Sequence, residues 1–432
     1  MFCPKVVAIG ILSALSLPVV AQVIPDGTTN TIVHQNRISG GTVSGSNLFH
    51  SFTTFNVGAE GVEFVSDGVP GARINNIFIR VTGQSPSYLQ SVVNTKKGFP
   101  NASLYLVNPQ GIVFQPTAKV EGGGSVLAAT ATAIGFADRQ VVTPRTTVFP
   151  STAVTNLEFA YYTPAPILNQ GELGVAPGRN LALVGGAVFS DGSLAAPNGN
   201  VVVMATTGGS RVEVRSTETS FGLTAVKDVI EPVKEGAPEL LEVLRPALPE
   251  LPLEAKTIVA RADGKVTLLP ENQGLVDRVL PDGRVNTTGA FTLLSGDVAV
   301  KGMAGANIQV DAPSDIVLLV PQISATNTVV FNAGSTITFR DSLAFPSNLT
   351  TGGNLVLRGD GRIDFLAVNH PESVIKVGGN LLFISRRDIW ADSVFAVGGR
   401  VLIEASPVDT VDILAPVPEL PKLLQPSPRL AK

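Results

Sequence analysis

Two groups of charged residues late in the sequence have the types and spacing that acid–base chemistry needs. Asp360 and Asp364 precede Arg386, Arg387 and Asp388 by about 26 residues, the length of one structural repeat. Carboxylates paired on one face are the arrangement that cleaves glycosidic bonds. Aspartate and arginine in turns usually lie in water. We therefore interpret both groups as solvated turn charges, with a β-helical polysaccharide lyase or hydrolase as the alternative.

The sequence contains no other catalytic or metal-binding constellation. Its three histidines, His34, His50 and His370, lack His-x-x-x-His or Glu-x-x-His spacing, and its one cysteine is Cys3. A zinc site needs several such ligands at short spacing. The Gly-x-x-x-x-Gly-Lys-Ser/Thr and Gly-x-Ser-x-Gly motifs are also absent. We predict no catalytic residue, no metal site and no cofactor.

The first 21 residues have the pattern of a secretory signal peptide. Lys5 supplies the positive start, an apolar run follows from residue 6 to residue 20, and Val19-Val20-Ala21 favours cleavage after Ala21. The run is shorter than the roughly 20 residues that span a membrane, so an N-terminal anchor is the less favoured alternative. Cleavage would remove Cys3 and leave a mature chain without cysteine, which fits passage through a pore in an unfolded state.

Composition favours many short strands. Charged residues make up 15% of the chain, the formal net charge is −4, and Gly and Pro number 43 and 31. Typical domains contain about 25% charged residues. No basic stripe indicates nucleic-acid binding. No apolar run of membrane-spanning length follows the signal, and we predict no transmembrane segment in the mature chain.

A Gly-Gly-x repeat followed by a short apolar strand indicates a solenoid. The second glycine recurs at Gly353, Gly379 and Gly399, and an earlier pair is Gly178 and Gly199. Repeats of about 20 residues cannot bury an apolar face alone and must stack. We predict an all-β, right-handed parallel β-helix, with a β-sandwich as the alternative for either half. Trp390 and the twenty phenylalanines are then expected in the core.

The segment 227–254 interrupts the repeats with charged residues and prolines, and it predicts an extruded, exposed loop. Pro238 and Pro246 would bracket a short helix over 239–245. The proline-rich C-terminus predicts a disordered tail. The predicted organisation is a signal peptide at 1–21, a first β-helical domain with an N-terminal cap at 22–215, an insertion at 216–255, further repeats at 256–408 and the tail at 409–432.

Two apolar runs flank the turn Asn108-Pro109-Gln110-Gly111, after which the chain continues with Ile112. Proline presets the first central position of a turn, and glycine tolerates a positive φ. The segment therefore predicts a hairpin or a sharp corner between strands.

The turn resembles the Asn-Pro-Asn-Gly-Ile signature of the filamentous haemagglutinin secretion domain, found at the N-terminus of the TpsA exoproteins of two-partner secretion. The segments 36–42 and 47–55 are similar to the opening of that domain, and 77–83 is similar to its Arg-Val-Thr-Gly segment in cyanobacterial members. Gln110 departs from the family, which usually has asparagine there, and the Asn-Pro-Asn-Leu motif of some members is missing.

The resemblance implies a secreted or cell-surface, adhesin-like protein of a Gram-negative-type bacterium. The N-terminal domain would act as the secretion signal, read in the periplasm by an Omp85-type (TpsB) outer-membrane transporter. It implies that Asn108, Pro109, Gln110, Gly111 and Ile112 serve transporter recognition or secretion competence, through contact or through turn geometry. Surface glycans or other cells would be the further partners.

Overall fold

The computed structural model describes residues 22–404 apart from 70–72, 217–220, 227–228, 234–237, 249–254, 271–277, 280–284, 287–290, 368 and 388. The predicted signal peptide, the predicted tail and Asp388 lie outside the described residues. Within the described part of the chain, no helix has both the length and the apolar character needed to cross a membrane.

Strands dominate the N-terminal half. They are β1 (Gln22–Pro25), β2 (Thr31–His34), β3 (Arg37–Gly40), β4 (Thr42–Ser44), β5 (Asn47–Asn56), β6 (Val62–Phe64), β7 (Asn76–Val81), β8 (Ser87–Leu89), β9 (Val92–Asn94), β10 (Ser103–Val107), β11 (Ile112–Phe114), β12 (Lys119–Glu121), β13 (Val126–Ala129), β14 (Ala133–Phe136), β15 (Val141–Val142), β16 (Val154–Phe159), β17 (Ile167–Asn169), β18 (Glu172–Gly174), β19 (Leu181–Gly185), β20 (Val188–Ala205), β21 (Ser210–Ser216) and β22 (Phe221–Val226).

One short helix, α1 (Leu240–Leu244), follows. The remaining strands are β23 (Ala255–Ala260), β24 (Val266–Pro270), β25 (Arg278–Val279), β26 (Val285–Asn286), β27 (Phe291–Leu293), β28 (Val298–Ala312), β29 (Ile316–Leu319), β30 (Gln322–Ala325), β31 (Val329–Ala333), β32 (Ile337–Arg340), β33 (Asn348–Thr351), β34 (Leu355–Gly359), β35 (Ile363–Leu366), β36 (Val374–Val377), β37 (Leu381–Ser385), β38 (Ile389–Asp392), β39 (Val394–Val397) and β40 (Val401–Glu404).

Parallel pairing joins most of these strands into one solenoid. A single ladder of directly paired residues runs through Leu48, Ile77, Leu104, Val126, Leu181, Val201, Ile308, Val329, Leu355, Leu381 and Val401. All of them except the terminal Val401 are buried, and they belong to one apolar core. The predicted parallel β-helix is confirmed, and the pairing is incompatible with a β-sandwich.

The β-helix has three faces, which we number in the order that the chain visits them. Face 1 contains β8, β11, β17, β29, β32, β35 and β38; face 2 contains β18, β30, β33, β36 and β39; face 3 contains β5, β7, β10, β13, β19, β31, β34, β37 and β40. The long strands β20 and β28 bend around all three faces and pair with each other along them. Each turn of the chain around these faces is called a rung below.

The Gly-Gly-x repeats stack as predicted. Leu355 pairs with Leu381 and Leu381 with Val401, so the turns before them lie above one another. A Cβ on Gly378 would fall 2.2 Å from the carbonyl oxygen of Gly352, so only glycine allows this close approach. For the earlier pair the register is 20 residues, since Leu181 pairs with Val201, and not the 21 that Gly178 and Gly199 suggest.

Three groups of strands surround the helix. β1 and β4 pair antiparallel with β5, and β2 pairs antiparallel with β3, at the N-terminal end. The antiparallel sheet β15-β14-β16-β21-β22 covers face 3 in the N-terminal half, with Leu157 and Val212 packed on Phe49 and Phe78. β24, β23 and β27 form a further antiparallel sheet.

The excursion from the β-helix is longer than the predicted insertion. Because β20 pairs directly with β28, the chain leaves the β-helix after residue 205 and rejoins it at residue 298 in the adjacent rung. The predicted repeats begin at residue 256, whereas β23 and β24 pair antiparallel beside the helix and stacked strands resume at Val298. A short apolar run such as Ile258-Val259-Ala260 of β23 suits an antiparallel pair as well as a rung, so the sequence pattern does not separate the two.

Most described phenylalanines are core residues, as predicted, and Phe339 stacks on Phe365 with ring centroids 3.9 Å apart. The prediction was wrong for Trp390, which is 60% exposed, and for Phe345, which is also exposed. Trp390 pairs with Asp364 in the outward-facing ladder of face 1, while the neighbouring Ala391 pairs with the buried Phe365. A shift of one residue along the strand decides which side chain enters the core.

Candidate functional site

The Asn-Pro-Gln-Gly turn is a corner of the β-helix and not a hairpin. Before it, β10 pairs in parallel with β7 and β13 on face 3. After it, β11 pairs in parallel with β8 and β17 on face 1. The apolar residues before and after the turn, Leu106 and Ile112, enter the core and hold the corner in place.

Asn108 organises this corner from a fully buried position. Its Oδ1 accepts the backbone N–H of Gln110 at 2.9 Å, which closes an Asx-type turn. Its Nδ2 donates to Ser85 O at 3.1 Å and to Ser87 Oγ at 2.9 Å, both in the preceding rung. One amide therefore shapes the turn and ties it to its neighbour.

The backbone of the turn is satisfied on both sides. The Gly111 N–H donates to Asn108 O at 3.2 Å, and Gly111 O accepts from the Ser87 N–H at 3.0 Å. Gly111 has φ +118°, which side chains rarely adopt. Pro109 is buried and has no N–H to satisfy, and the Ile112 N–H donates to Pro166 O at 3.3 Å.

Gln110 turns its side chain away from the corner. Its Nε2 donates to Tyr161 Oη at 3.3 Å. Burial raises the pKa of Tyr161, against the opposing effect of the Gln110 hydrogen bond. The two residues line a cleft of about 270 Å³ together with Thr143 and Arg145. The turn uses only the backbone N–H of residue 110, so glutamine can stand where the family usually has asparagine.

Sequence reasoning missed the cover of this corner. Helix α1, predicted within an exposed loop, begins after Glu239 and ends before Arg245, but Val243 and Leu244 are fully buried. They pack on Tyr88, Val113 and other outward residues of face 1. The available signal was the apolar run Leu240-Leu241-x-Val243-Leu244, which is an amphipathic pattern between two prolines.

Two observations place α1 on the turn itself. A Cβ on Gly111 would lie 2.7 Å from Val243 Cγ1. Tyr88 Oη donates to Val243 O at 3.1 Å, and burial together with the charge of Glu242 raises the pKa of Tyr88 to about 12. The predicted solvated loop is therefore corrected to a packed cover, because its aliphatic residues find an apolar face.

The segments similar to the family's opening build a second polar cluster. Arg80 of the Arg-Val-Thr-Gly segment is buried, with Nε donating to Ser51 Oγ at 2.8 Å and Nη1 to Thr143 O and Thr146 O at 2.7 and 2.9 Å. Its Nη2 lies 3.7 Å from Asp26 Oδ2. Arg80 thereby joins the residue after β1, face 3 and the loop between β15 and β16.

The groups considered for catalysis have other partners. Asp364 is buried and forms an ion pair with Arg362, and Asp360 lies 3.7 Å from Arg358. Asp364 is thus paired and not solvated as predicted. Within the described ranges, no three His, Cys, Asp or Glu residues are grouped to hold a metal ion.

His50 is buried with Nδ1 3.0 Å from Thr31 Oγ1, and burial lowers its pKa to about 3. His370 Nδ1 lies 3.2 Å from Glu372 Oε1. The two histidines lie in separate parts of the fold, each with its own local partner.

The chain is similar to known secretion domains. The family model described as "TPS secretion domain" matches residues 21–226. The crystal structure of the filamentous hemagglutinin secretion domain is 14% identical, with a TM-score of 0.37, covering 88% of this chain and 98% of that chain. The HMW1 secretion domain from Haemophilus influenzae is 15% identical, with the same TM-score and the same coverage. No curated protein matches the chain. The match over 21–226, which contains the Asn-Pro-Gln-Gly corner, identifies these residues as a TPS secretion domain, the N-terminal domain type of the TpsA exoproteins.

Proposed function

We propose that this protein is the exported partner of a two-partner secretion system and that its N-terminal domain is the secretion signal. The observation that carries the proposal is the buried Asn108-Pro109-Gln110-Gly111 corner inside the region matched by the TPS family. In this proposal, a signal peptide at 1–21 directs the chain to the periplasm, where the periplasmic domains of an Omp85-type transporter capture it.

Burial favours a conformational role for the motif in the folded protein. Asn108 and Ile112 have no exposed surface, and Gln110 is 3% exposed. A receptor reaches such side chains only before the rung forms. We infer that the motif supports secretion because it allows this corner to fold at its place in the order of rungs. This folding follows capture of the chain by the transporter.

Folding outside the cell would give export its direction. Each rung pairs with the rungs before and after it, so the solenoid can grow as the chain emerges. The free energy released by each rung opposes back-sliding through the pore. A core variant such as Phe365→Ala is then expected to slow export, and an unchanged export rate would argue against this mechanism.

Secretion of the full chain with its cognate Omp85-type transporter tests the proposal. The wild type should reach the medium only when the transporter is present, and Asn108→Ala should remain inside. The matched control is Asn101→Ala, since Asn101 is exposed in the turn before β10. Secretion independent of the transporter would refute the proposal.

For the secreted protein we propose an adhesive role towards surface glycans. The outward residues of face 2 form an open groove of about 400 Å³ that includes Gln322, Ser324, Asn348 and Thr350. Asn348 Nδ2 donates to Gln322 Oε1 at 2.9 Å. Such amides and hydroxyls are the groups that bind sugar hydroxyls. Glycan-array binding that is lost in Gln322→Ala/Asn348→Ala and kept in Lys376→Ala would support it, and equal binding would refute it.

A further inference from the structure

The cleft of about 270 Å³ beside the Asn-Pro-Gln-Gly corner has a lining that the turn itself does not require. We call it the corner cleft. Its walls are the loop after β7, the corner, the loop between β15 and β16, and Tyr161 after β16. Sites for drug-sized ligands occupy about 300–1,000 Å³, so the corner cleft suits one small ligand unit.

The corner cleft carries an uncompensated positive charge. Arg145 lines it, is exposed, and forms no ion pair within the described part of the chain. None of the described residues that line the cleft is acidic. Asp26, which accepts a hydrogen bond from Thr82 Oγ1 at 2.9 Å, has a nearly buried side chain and is paired with Arg80. The local charge therefore favours an anionic ligand.

The loop that carries Arg145 is held in place before any ligand binds. Arg80 Nη1 donates to Thr143 O and Thr146 O at 2.7 and 2.9 Å, on either side of Arg145 in the chain. The Thr143 N–H donates to Thr146 Oγ1 at 2.9 Å, and the Arg145 N–H donates to Thr143 Oγ1 at 3.3 Å. A cation on such a loop binds its ligand at a lower cost in conformational entropy.

Gln110 and Tyr161 add a hydrogen-bond donor to the cleft. The side chain of Gln110, which the turn does not use, is nearly buried and donates from Nε2 to Tyr161 Oη at 3.3 Å. This bond occupies a lone pair of the hydroxyl, so the O–H proton is available to a ligand. Among the described residues, Tyr161 Oη has no other hydrogen-bond partner.

Aliphatic and polar groups lie side by side in the remaining wall. Pro109 and Pro144 line the cleft together with the amide of Gln84 and the hydroxyl of Thr143. A sugar ring presents C–H groups on its faces and hydroxyls at its edge, so it suits a lining of this mixed kind. A small inorganic anion would have no use for the proline surface.

We propose that the corner cleft binds the carboxylate-bearing sugar unit of an acidic glycan, such as a uronate. Arg145 pairs with the carboxylate, the Tyr161 O–H donates to it, and the two prolines contact the C–H face of the ring. Gln110 is a positioning residue that acts through Tyr161. The class of ligand rests on the adhesive role proposed above, and the site is separate from the groove on face 2.

Binding of glucuronate to the full chain, measured by calorimetric titration, tests the proposal. Glucose is the matched ligand, because it carries a CH2OH group in place of the carboxylate, and acetate supplies a carboxylate without a sugar. Glucuronate should bind at least about tenfold more tightly than either. Glucose or acetate binding as tightly as glucuronate, or no binding of glucuronate, overturns the proposal.

Variants assign the binding to the corner cleft. Arg145→Gln and Tyr161→Phe should each weaken glucuronate binding about tenfold, with an unchanged far-UV spectrum. The matched control is Arg139→Gln, which removes the same charge from an exposed turn between β14 and β15 and should bind as the wild type does. Wild-type affinity in Arg145→Gln, or an equal loss in Arg139→Gln, overturns the proposal.

A double variant tests the role of Gln110. Asparagine is one methylene shorter, so Gln110→Asn keeps the backbone N–H for the turn but loses the contact with Tyr161 Oη. It should weaken glucuronate binding several-fold in the wild type and have no effect in the Tyr161→Phe background. A similar loss in both backgrounds shows that Gln110 does not act through Tyr161 and overturns this part of the proposal.

The outcome is separable from that of the adhesive role. Glucuronate affinity that Arg145→Gln leaves unchanged refutes the cleft site even where the glycan array detects binding through the face 2 groove. An array on which the protein binds no glycan refutes the adhesive role, whereas glucuronate binding that depends on Arg145 supports the cleft site in the same protein.

Discussion

Gly111 of the Asn-Pro-Gln-Gly corner lies directly against Val243 of helix α1, so that a Cβ on Gly111 would fall 2.7 Å from Val243 Cγ1. The secretion domain and helix α1 are therefore packed together at this point. The Asn-Pro-Gln-Gly motif therefore meets two requirements: the backbone of its own turn, and close contact with Val243, which is distant in the sequence.

The first prediction concerns this contact. Gly111→Ala should lower the free energy of unfolding by about 2–3 kcal/mol, because it combines a clash with φ +118°. Val243→Ala removes the clashing methyl groups but not the backbone strain. In urea titrations the double variant should therefore be more stable than the sum of the single effects predicts, by about 1 kcal/mol. Additive effects would show that the two residues do not touch.

The second prediction concerns Asn108. Asn108→Ala leaves the buried Gln110 N–H, Ser87 Oγ and Ser85 O without their partner, and it should cost about 3 kcal/mol of stability. Asn101→Ala should change stability by less than about 0.5 kcal/mol, because Asn101 is exposed. Urea unfolding measures both, and equal stability of the two variants contradicts the buried hydrogen bonds.

The third prediction concerns the buried pair of Arg80 and Asp26. Burial by itself raises the pKa of Asp26, but hydrogen bonds from Ser51 and Thr28 bring it below its ordinary value. Arg80→Met should cost about 3–5 kcal/mol, because it leaves the buried Asp26 carboxylate without its cation and Thr143 O and Thr146 O without their donor.

The matched variant for this pair is Asp26→Asn/Arg80→Met, which removes both charges. It should recover part of the loss in thermal and urea unfolding. If the double variant is less stable than Arg80→Met, the attraction between the two charges is not what matters at this site.

The fourth prediction concerns His50, whose folded pKa is lowered from 6.5 to about 3 by burial. The unfolded chain then binds a proton first, so stability falls as the pH drops below about 6.5 and continues to fall towards pH 3. The loss approaches about 1.4 kcal/mol per pH unit and amounts to about 1.6 kcal/mol from pH 6.5 to 5. His50→Asn should remove this slope, whereas His34→Asn, at an exposed site, should retain it. Parallel stability curves for wild type and His50→Asn would contradict the assignment.

Much of the fold follows from local sequence. The Gly-Gly-x repeats indicate the period of the solenoid, because stacked rungs need similar residues at equivalent positions and glycine where two backbones approach closely. The Asn-Pro-Gln-Gly turn is likewise readable, because proline and glycine set the backbone within four residues. The helix in the excursion was predicted from its two flanking prolines.

The candidate site was only partly predictable. The sequence places Asn108 in a turn but does not show that Ser85 and Ser87 receive its amide. It identifies a charged insertion but not the apolar face under α1. The burial of Asp364 and the exposure of Trp390 depend on which side of face 1 each residue takes, and one residue of register reverses that choice.

The sequence by itself determined the repeat, the corner and the type of N-terminal domain, because each is specified by residues close together in the chain. Only the tertiary structure decided which rungs are adjacent across residues 206–297 and that α1 covers the motif. These features depend on contacts between segments that are distant in the sequence. Many aliphatic residues could pack on the same surface, and the register of the stacked strands decides which of them do.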